Sequence, residues 1–185
     1  RRHDGDYRAC EIEGVGYTKM KIVTAEEMRE IDRRTVESHG VSYLQLMENA
    51  AARTVQYVRE QAGSDGCRVV VLCGKGNNGG DGLAFARLWR EATGNAARVL
   101  LFAEPSQLRG AAAENYRRLE AAGIAAAVIA RESDLAETQG VLTEADCIVD
   151  ALLGTGLSGE AEGLIAAAIE KINERSAKAL CVAVD

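Results

Sequence analysis

Five short apolar runs punctuate the chain, at 68–73, 97–103, 124–129, 146–150 and 178–184. The first, with Val69-Val70-Val71-Leu72, is unbroken, as in a strand covered on both faces; a strand with one face in water alternates. Between the runs, apolar positions recur at helical spacing over about 80–93, 107–122, 133–143 and 160–175. Strand and helix in alternation demand parallel strands joined by right-handed crossovers. Two further helices are predicted ahead of the first strand. Thr24-Ala25-Glu26-Glu27 is a capping box that opens a helix to about Ser38, with Met28, Ile31, Thr35 and Val36 on one stripe and Gly40 as its stop. Ser42-Tyr43-Leu44-Gln45 reads as a second box, opening a helix to about Gln61 with Leu44, Met47, Ala51, Val55 and Val58 at helical spacing. The pattern predicts one α/β domain with a mostly parallel sheet, preceded by two helices.

The stretch that matters most for chemistry is RVVVLCGKGNNGGDG, Arg68 to Gly82. A buried strand runs into Gly74-Lys75-Gly76-Asn77-Asn78-Gly79-Gly80, and an amphipathic helix with Leu83, Ala84, Phe85, Leu88 and Trp89 follows. Strand, glycine-rich turn and helix start aim bare backbone N–H groups at an anion, with the helix dipole adding to the attraction. Glycines let a phosphate approach the backbone, so Gly79→Val is expected to block it. Three readings of the loop stay open. Gly74 to Gly79 fits the G-x-G-x-x-G dinucleotide fingerprint, with Glu104 placed as a ribose-binding acid. That reading leaves Asn77, Asn78 and Asp81 unexplained, and an acid at a helix N-terminus suits a cation or a ligand hydroxyl better than a phosphate. In the third reading the asparagines only cap the helix. No Gly-Lys-Ser/Thr follows the glycines, so the loop is not a Walker A motif.

In an open parallel sheet, ligands sit outside the carboxyl ends of the strands. Beyond the first loop, those ends hold Glu104, Asp150 and Asp185. Asp150 closes the run Cys147-Ile148-Val149 and precedes a second glycine-bearing loop, Ala151 to Gly159. Two glycine loops and two aspartates are thus expected to converge on one crevice. A helix-cap or turn role is the alternative for Asp150.

Composition narrows the picture. The 185 residues, 47% hydrophobic, suffice for one ordinary core. A net charge of −6 argues against a general nucleic-acid or anionic-membrane surface, while leaving room for a nucleotide pocket. No apolar run approaches the ~20 residues of a membrane span. Five cysteines, at 10, 67, 73, 147 and 181, are an odd number without a C-x-x-C, against a disulfide framework or zinc site. Cys73, Cys147 and Cys181 fall in strand-like runs and read as buried thiols of a reducing, cytoplasmic protein. Residues 1–19 show no apolar periodicity and read as a disordered or added extension, with the domain covering 20–185. Asp185 follows the core-like run Leu180 to Val184 at the active edge of the sheet, so further protein is expected beyond it.

Three blocks in order, Met47-Glu48-Asn49-Ala50, Gly74-Lys75-Gly76-Asn77-Asn78-Gly79-Gly80-Asp81-Gly82 and Asp150-Ala151-Leu152-Leu153-Gly154-Thr155-Gly156, resemble the N-terminal YjeF family of NAD(P)H-hydrate epimerases over about Lys21 to Asp185. The resemblance implies a Rossmann-like three-layer α/β/α sandwich. It implies epimerisation of hydrated NADH and NADPH at C6 of the nicotinamide ring, in service of a partner dehydratase that repairs one epimer. It also implies ligand contacts from Asn77, Asn78, Gly79, Gly80 and Asp81, from Gly154, Thr155, Gly156, Leu157, Ser158, Gly159 and Glu160, and from Asp185. Asn78 and Asp150 would hold a potassium ion. The family pattern continues past the last aspartate with Pro-Ser-Gly, whose serine completes that site. Family members often pair, which implies a homodimer through the N-terminal helices. Asp150 is the first candidate for the acid–base group, with Asp81 and Lys75 behind it; a carboxylate in a partly dry crevice can have a raised pKa. Two alternatives differ in class: an NAD(P)-dependent oxidoreductase, against which stands the lack of a placed histidine beyond His3 and His39, and a non-catalytic assembly scaffold.

Overall fold

A computed structural model describes residues 23–63, 65–157, 159–175 and 177–184. Helix α1 (Ala25–His39) and helix α2 (Tyr43–Ala62) precede strand β1 (Val69–Cys73). Then follow α3 (Asn77–Thr93), β2 (Arg98–Leu101), α4 (Gly110–Ala121), β3 (Ala126–Val128), α5 (Glu132–Glu137), α6 (Gln139–Glu144), β4 (Cys147–Ala151), α7 (Gly163–Arg175) and β5 (Leu180–Ala183). The strands pair in the order β3-β2-β1-β4-β5, all parallel.

The pleat divides the core in two. Val69, Val71 and Cys73 of β1 pack with α2, α3 and α4, whereas Val70 and Leu72 pack with α5, α6 and α7. This is the expected three-layer α/β/α sandwich, and its parallel strands are buried as the unbroken apolar run requires. The α3 side holds the largest payload: Phe85 and Trp89 are fully buried and stacked, ring centroids 5.9 Å apart. After β1 the chain builds toward β2 and β3, then returns to the other side of β1 with β4. The β1/β4 boundary is therefore the switch point of strand order, where crevices form in such sheets.

Several boundaries differ from the sequence pattern. Helix α3 starts at Asn77, so the asparagines lie within its first turn rather than in a loop before it. A 3-10 turn at Pro105–Gln107 delays α4 to Gly110; the Glu104 amide donates to Gln107 Oε1 there. The helix expected over 133–143 is two short ones, α5 and α6, meeting at Thr138, whose hydroxyl donates to the Leu135 carbonyl. Thr24 forms its predicted capping box, but Ser42 gives half of one: it accepts from the Gln45 amide, while the Gln45 side chain donates to Asn49. Of the α2 stripe, Met47, Ala51, Val55 and Val58 are buried. The α1 stripe is not: Met28 and Ile31 are exposed, and α1 buries no residue against the rest of the described chain. The extension read over residues 1–19 lies outside the described residues.

Candidate active site

At the switch point the loops after β1 and β4 touch. The Gly74 amide donates to the Ala151 carbonyl at 2.9 Å, extending the β1/β4 ladder by one rung. A Cβ on Gly74 would lie 2.0 Å from the Leu152 carbonyl oxygen, and a Cβ on Gly79 1.8 Å from the Gly74 carbonyl oxygen. Gly80 presses on Met47 and Ala112, and Gly82 on Ala151 and Cys73. These glycines let the first turn of α3 sink against the sheet edge and against α2 and α4. Gly79 thus has a reason other than the phosphate clearance expected from sequence: the space its side chain would take is filled by the protein's own backbone.

What the packing leaves without an intrahelical acceptor is backbone. Gly76 is the N-cap of α3, exposed and extended, and offers no side-chain cap. The amides of Asn77, Asn78 and Gly79 stand where helix geometry offers no intrahelical acceptor. Asn77 and Lys75 are exposed beside them and Asp81 is half-buried.

Asn78 is the site's most informative side chain. It is 7% exposed, and its Nδ2 donates to the Leu153 carbonyl at 2.5 Å. That bond fixes the orientation of the carboxamide and turns Oδ1 away, buried and with no hydrogen-bond partner among the described residues. Asp150, half-buried at the end of β4, accepts from the Leu152 amide at 3.0 Å through Oδ1. Asn78 and Asp150 therefore clasp consecutive residues of one loop, and two oxygen donors of hard character sit at one place in the fold. Burial pushes the Asp150 carboxyl above its ordinary value, and the Leu152 amide partly offsets this. A buried carbonyl oxygen without a donor and a half-buried carboxylate fit a hard cation with oxygen ligands. They are less suited to thiophilic metals, and no cluster of three His, Cys, Asp or Glu side chains that could hold a metal exists among the described residues.

The second loop is more open. Gly154 and Thr155 are half-buried, and Gly156, Leu157, Gly159 and Glu160 are exposed. Its turn is closed by the Leu157 amide donating to the Gly154 carbonyl, and Arg29 of α1 donates to the Thr155 carbonyl at 2.6 Å. Ser158 and Asp185 lie outside the described residues. Three of the thiols, Cys67, Cys73 and Cys147, are buried, and burial pushes Cys147 up to about 12. Cys181, expected to be buried, is half-exposed, because β5 is an edge strand among the described residues.

Sequence reasoning missed two things. Glu48, given no role of its own from the sequence, is half-buried and pairs with Arg87 of α3 and Arg118 of α4. Asn115 of α4 is fully buried and touches the first turn of α3. Partners 39 and 35 residues away leave no local signal.

The chain is also similar to known proteins. The Bifunctional NAD(P)H-hydrate repair enzyme Nnr of Moorella thermoacetica is 38% identical over 165 residues, which are 88% of this chain and 31% of that protein. The NAD(P)H-hydrate epimerase of Pirellula staleyi is 40% identical over 163 residues, 88% of this chain and 70% of that one. The chain thus spans about a third of the length of the bifunctional relative. The crystal structure of yeast ynu0 superposes with a TM-score of 0.77 at 25% identity, covering 90% of this chain and 70% of that one. The family described as YjeF-related protein N-terminus matches residues 43–185, from α2 through both glycine loops, and the chain belongs to it.

Proposed function

We propose that this chain is an epimerase that interconverts the R and S forms of hydrated NADH and NADPH. The observation that carries the reading is the Asn78 carboxamide: buried, locked by Leu153, with its oxygen unpartnered beside the Asp150 loop. The names of relatives that match most of the chain support the same reaction. The free amides opening α3, with the helix dipole behind them, receive the diphosphate. Asp150 exchanges the proton. As the acid, it protonates the hydroxyl at C6; the C–O bond breaks, water leaves, and the ring nitrogen lone pair stabilises the cation formed. Water then adds to the opposite face and a proton returns to the Asp150 carboxylate. Asn78 Oδ1, joined by an Asp150 oxygen while that carboxyl is ionised, would hold a potassium ion, which would supply a positive charge to offset the ligand's phosphates.

Following the relaxation of a mixture of hydrate epimers tests the reaction: the protein should speed it. No change in relaxation rate would remove the reading. Potassium should stimulate that rate more than lithium at equal ionic strength. A homodimer through α1 and α2 fits the exposed Met28, Ile31, Tyr43 and Tyr57, and Ile31→Asp should shift mass by light scattering from dimer to monomer. The partner in repair is a dehydratase, separate or fused; the latter is the arrangement suggested by bifunctional relatives. Four free described cysteines suit the cytoplasm. No described helix is long and apolar enough to cross a membrane.

A further inference from the structure

Asn115 stands in the wrong company. It is 0% exposed in the middle of α4, and its surroundings are Met47 of α2, Ala112 of its own helix and Gly80 of α3. Its Nδ2 donates to the Gly80 carbonyl at 3.3 Å and points to Met47 Sδ at 3.5 Å, both long contacts. The Gly80 carbonyl has its helical donor too, the Ala84 amide one turn on. Oδ1 of Asn115 is buried with no partner among the described residues. A leucine, larger but branched at the same carbon, would give up one weak hydrogen bond and relieve one unsatisfied oxygen, and the polar exchange by itself favours the folded state. Stability therefore does not account for an asparagine here.

Position does. Gly80 follows directly on Asn77, Asn78 and Gly79, and a Cβ on it would come within 2.9 Å of Met47 Sδ and 3.0 Å of Ala112 Cα. The first turn of α3 is thus wedged between α2 and α4 with no side chain of its own at the contact. Apolar packing sets how deep that turn sits but is tolerant of sliding along the groove. A directional hydrogen bond from α4 to one carbonyl of that turn sets its position along the helix axis. We propose that Asn115 is a positioning residue for the ligand cradle: through Gly80 it holds the first turn of α3 in register with the β4 loop, so that Asn78 reaches Leu153. This rests on the reading of that turn as the cradle, and it accounts for a buried polar group retained against stability.

The test compares Asn115→Leu, which keeps the branched shape and loses the donor, with Asn115→Ala, which cannot clash. Three quantities are read: the urea midpoint, amide exchange across Leu83 to Phe85, and NADPH affinity by titration calorimetry, with NADPH as a stable probe of the cradle. Asn115→Leu should stay folded, speed exchange of the Ala84 amide about tenfold and weaken NADPH binding about tenfold. The KM for the hydrate should rise alongside. Unchanged exchange in the opening turns of α3, or unchanged NADPH affinity, would overturn the proposal. Loss of the fold in both variants would also overturn it, by making Asn115 a structural residue. A parent chain that binds NADPH but does not epimerise its hydrate would sink the proposed reaction and leave the Asn115 comparison intact.

Discussion

Two glycine-bearing segments flank the candidate site, and they use glycine for opposite reasons. From Gly74 to Gly82, glycine serves because it has no side chain. Cβ atoms at 74, 79, 80 and 82 would meet other atoms at between 1.8 and 2.9 Å, and none of these four has a left-handed φ. At Gly159 and Gly163, glycine serves because of its backbone. Gly159 and Gly163 have φ of +94° and +56°, and Gly156 has open space around it. The first segment is a helical turn pressed into the protein; the second is a turn in water. A motif that looks like two copies of one device in the text is one anvil and one hinge. The anvil can present amides and Asn78 at a fixed place, while the exposed second loop can adapt to a ligand.

The contrast makes graded predictions. The largest effect belongs to Gly79→Ala, whose methyl would collide with the Gly74 carbonyl. Overpacking against backbone should lower stability by about 3 kcal/mol, seen as a lower urea midpoint at constant m-value. A midpoint equal to the parent's would mean that the turn is looser than described.

Next in size is Asp150→Asn, with an effect on chemistry rather than on folding. Loss of the proton-exchanging group should slow epimerisation by about a hundredfold or more. Its pH dependence has a definite sign. The folded-state pKa of Asp150 lies above the unfolded value because burial disfavours the charged form. The folded protein therefore bears a penalty above the raised value, and the penalty disappears as pH falls through it toward the ordinary aspartate range. In potassium-free buffer the neutral carboxamide of the variant removes that penalty, so the variant should be the more stable protein near neutrality, and the gap should narrow on acidification. A gap that widens on acidification would contradict the burial argument.

The clamp behind the anvil comes third. Glu48→Gln should leave the half-buried Arg87 with the exposed Glu91 as its remaining described ion-pair partner and cost about 1 kcal/mol. A double-mutant cycle with Arg87→Met should show positive coupling between the two. The smallest effect belongs to Gly156→Ala in the open loop. Stability should move by no more than about 0.5 kcal/mol, and any change should appear in ligand affinity instead.

Much of the scaffold was legible because burial imposes a period. The unbroken apolar run of β1, the α2 stripe and the order of strand and helix all follow from which side chains must leave water. Where burial was thin, the reading slipped. The α1 stripe has helical spacing but stays exposed, and the short α5 and α6 were merged because the stretch carries no sharp break such as proline. Within the site, Asn78 and Asp150 were legible as types at the ends of strands, and both do bind the same loop. The packing constraint on Gly79 was not legible, since a chain of letters does not say which direction from a Cα is already occupied.

Local chemistry was thus enough to settle which segments become strands and helices, and which polar residues lie at the carboxyl edge of the sheet. It acts within a few residues: a cap bonds its own helix, and a glycine frees its own φ. The pairing of Glu48 with Arg87, the seat of Asn115 beneath Gly80 and the turning of the Asn78 oxygen away from Leu153 join residues 35 to 75 positions apart. Those contacts arise when helices and strands pack, because three-dimensional closeness follows from the layering of elements and not from spacing along the chain.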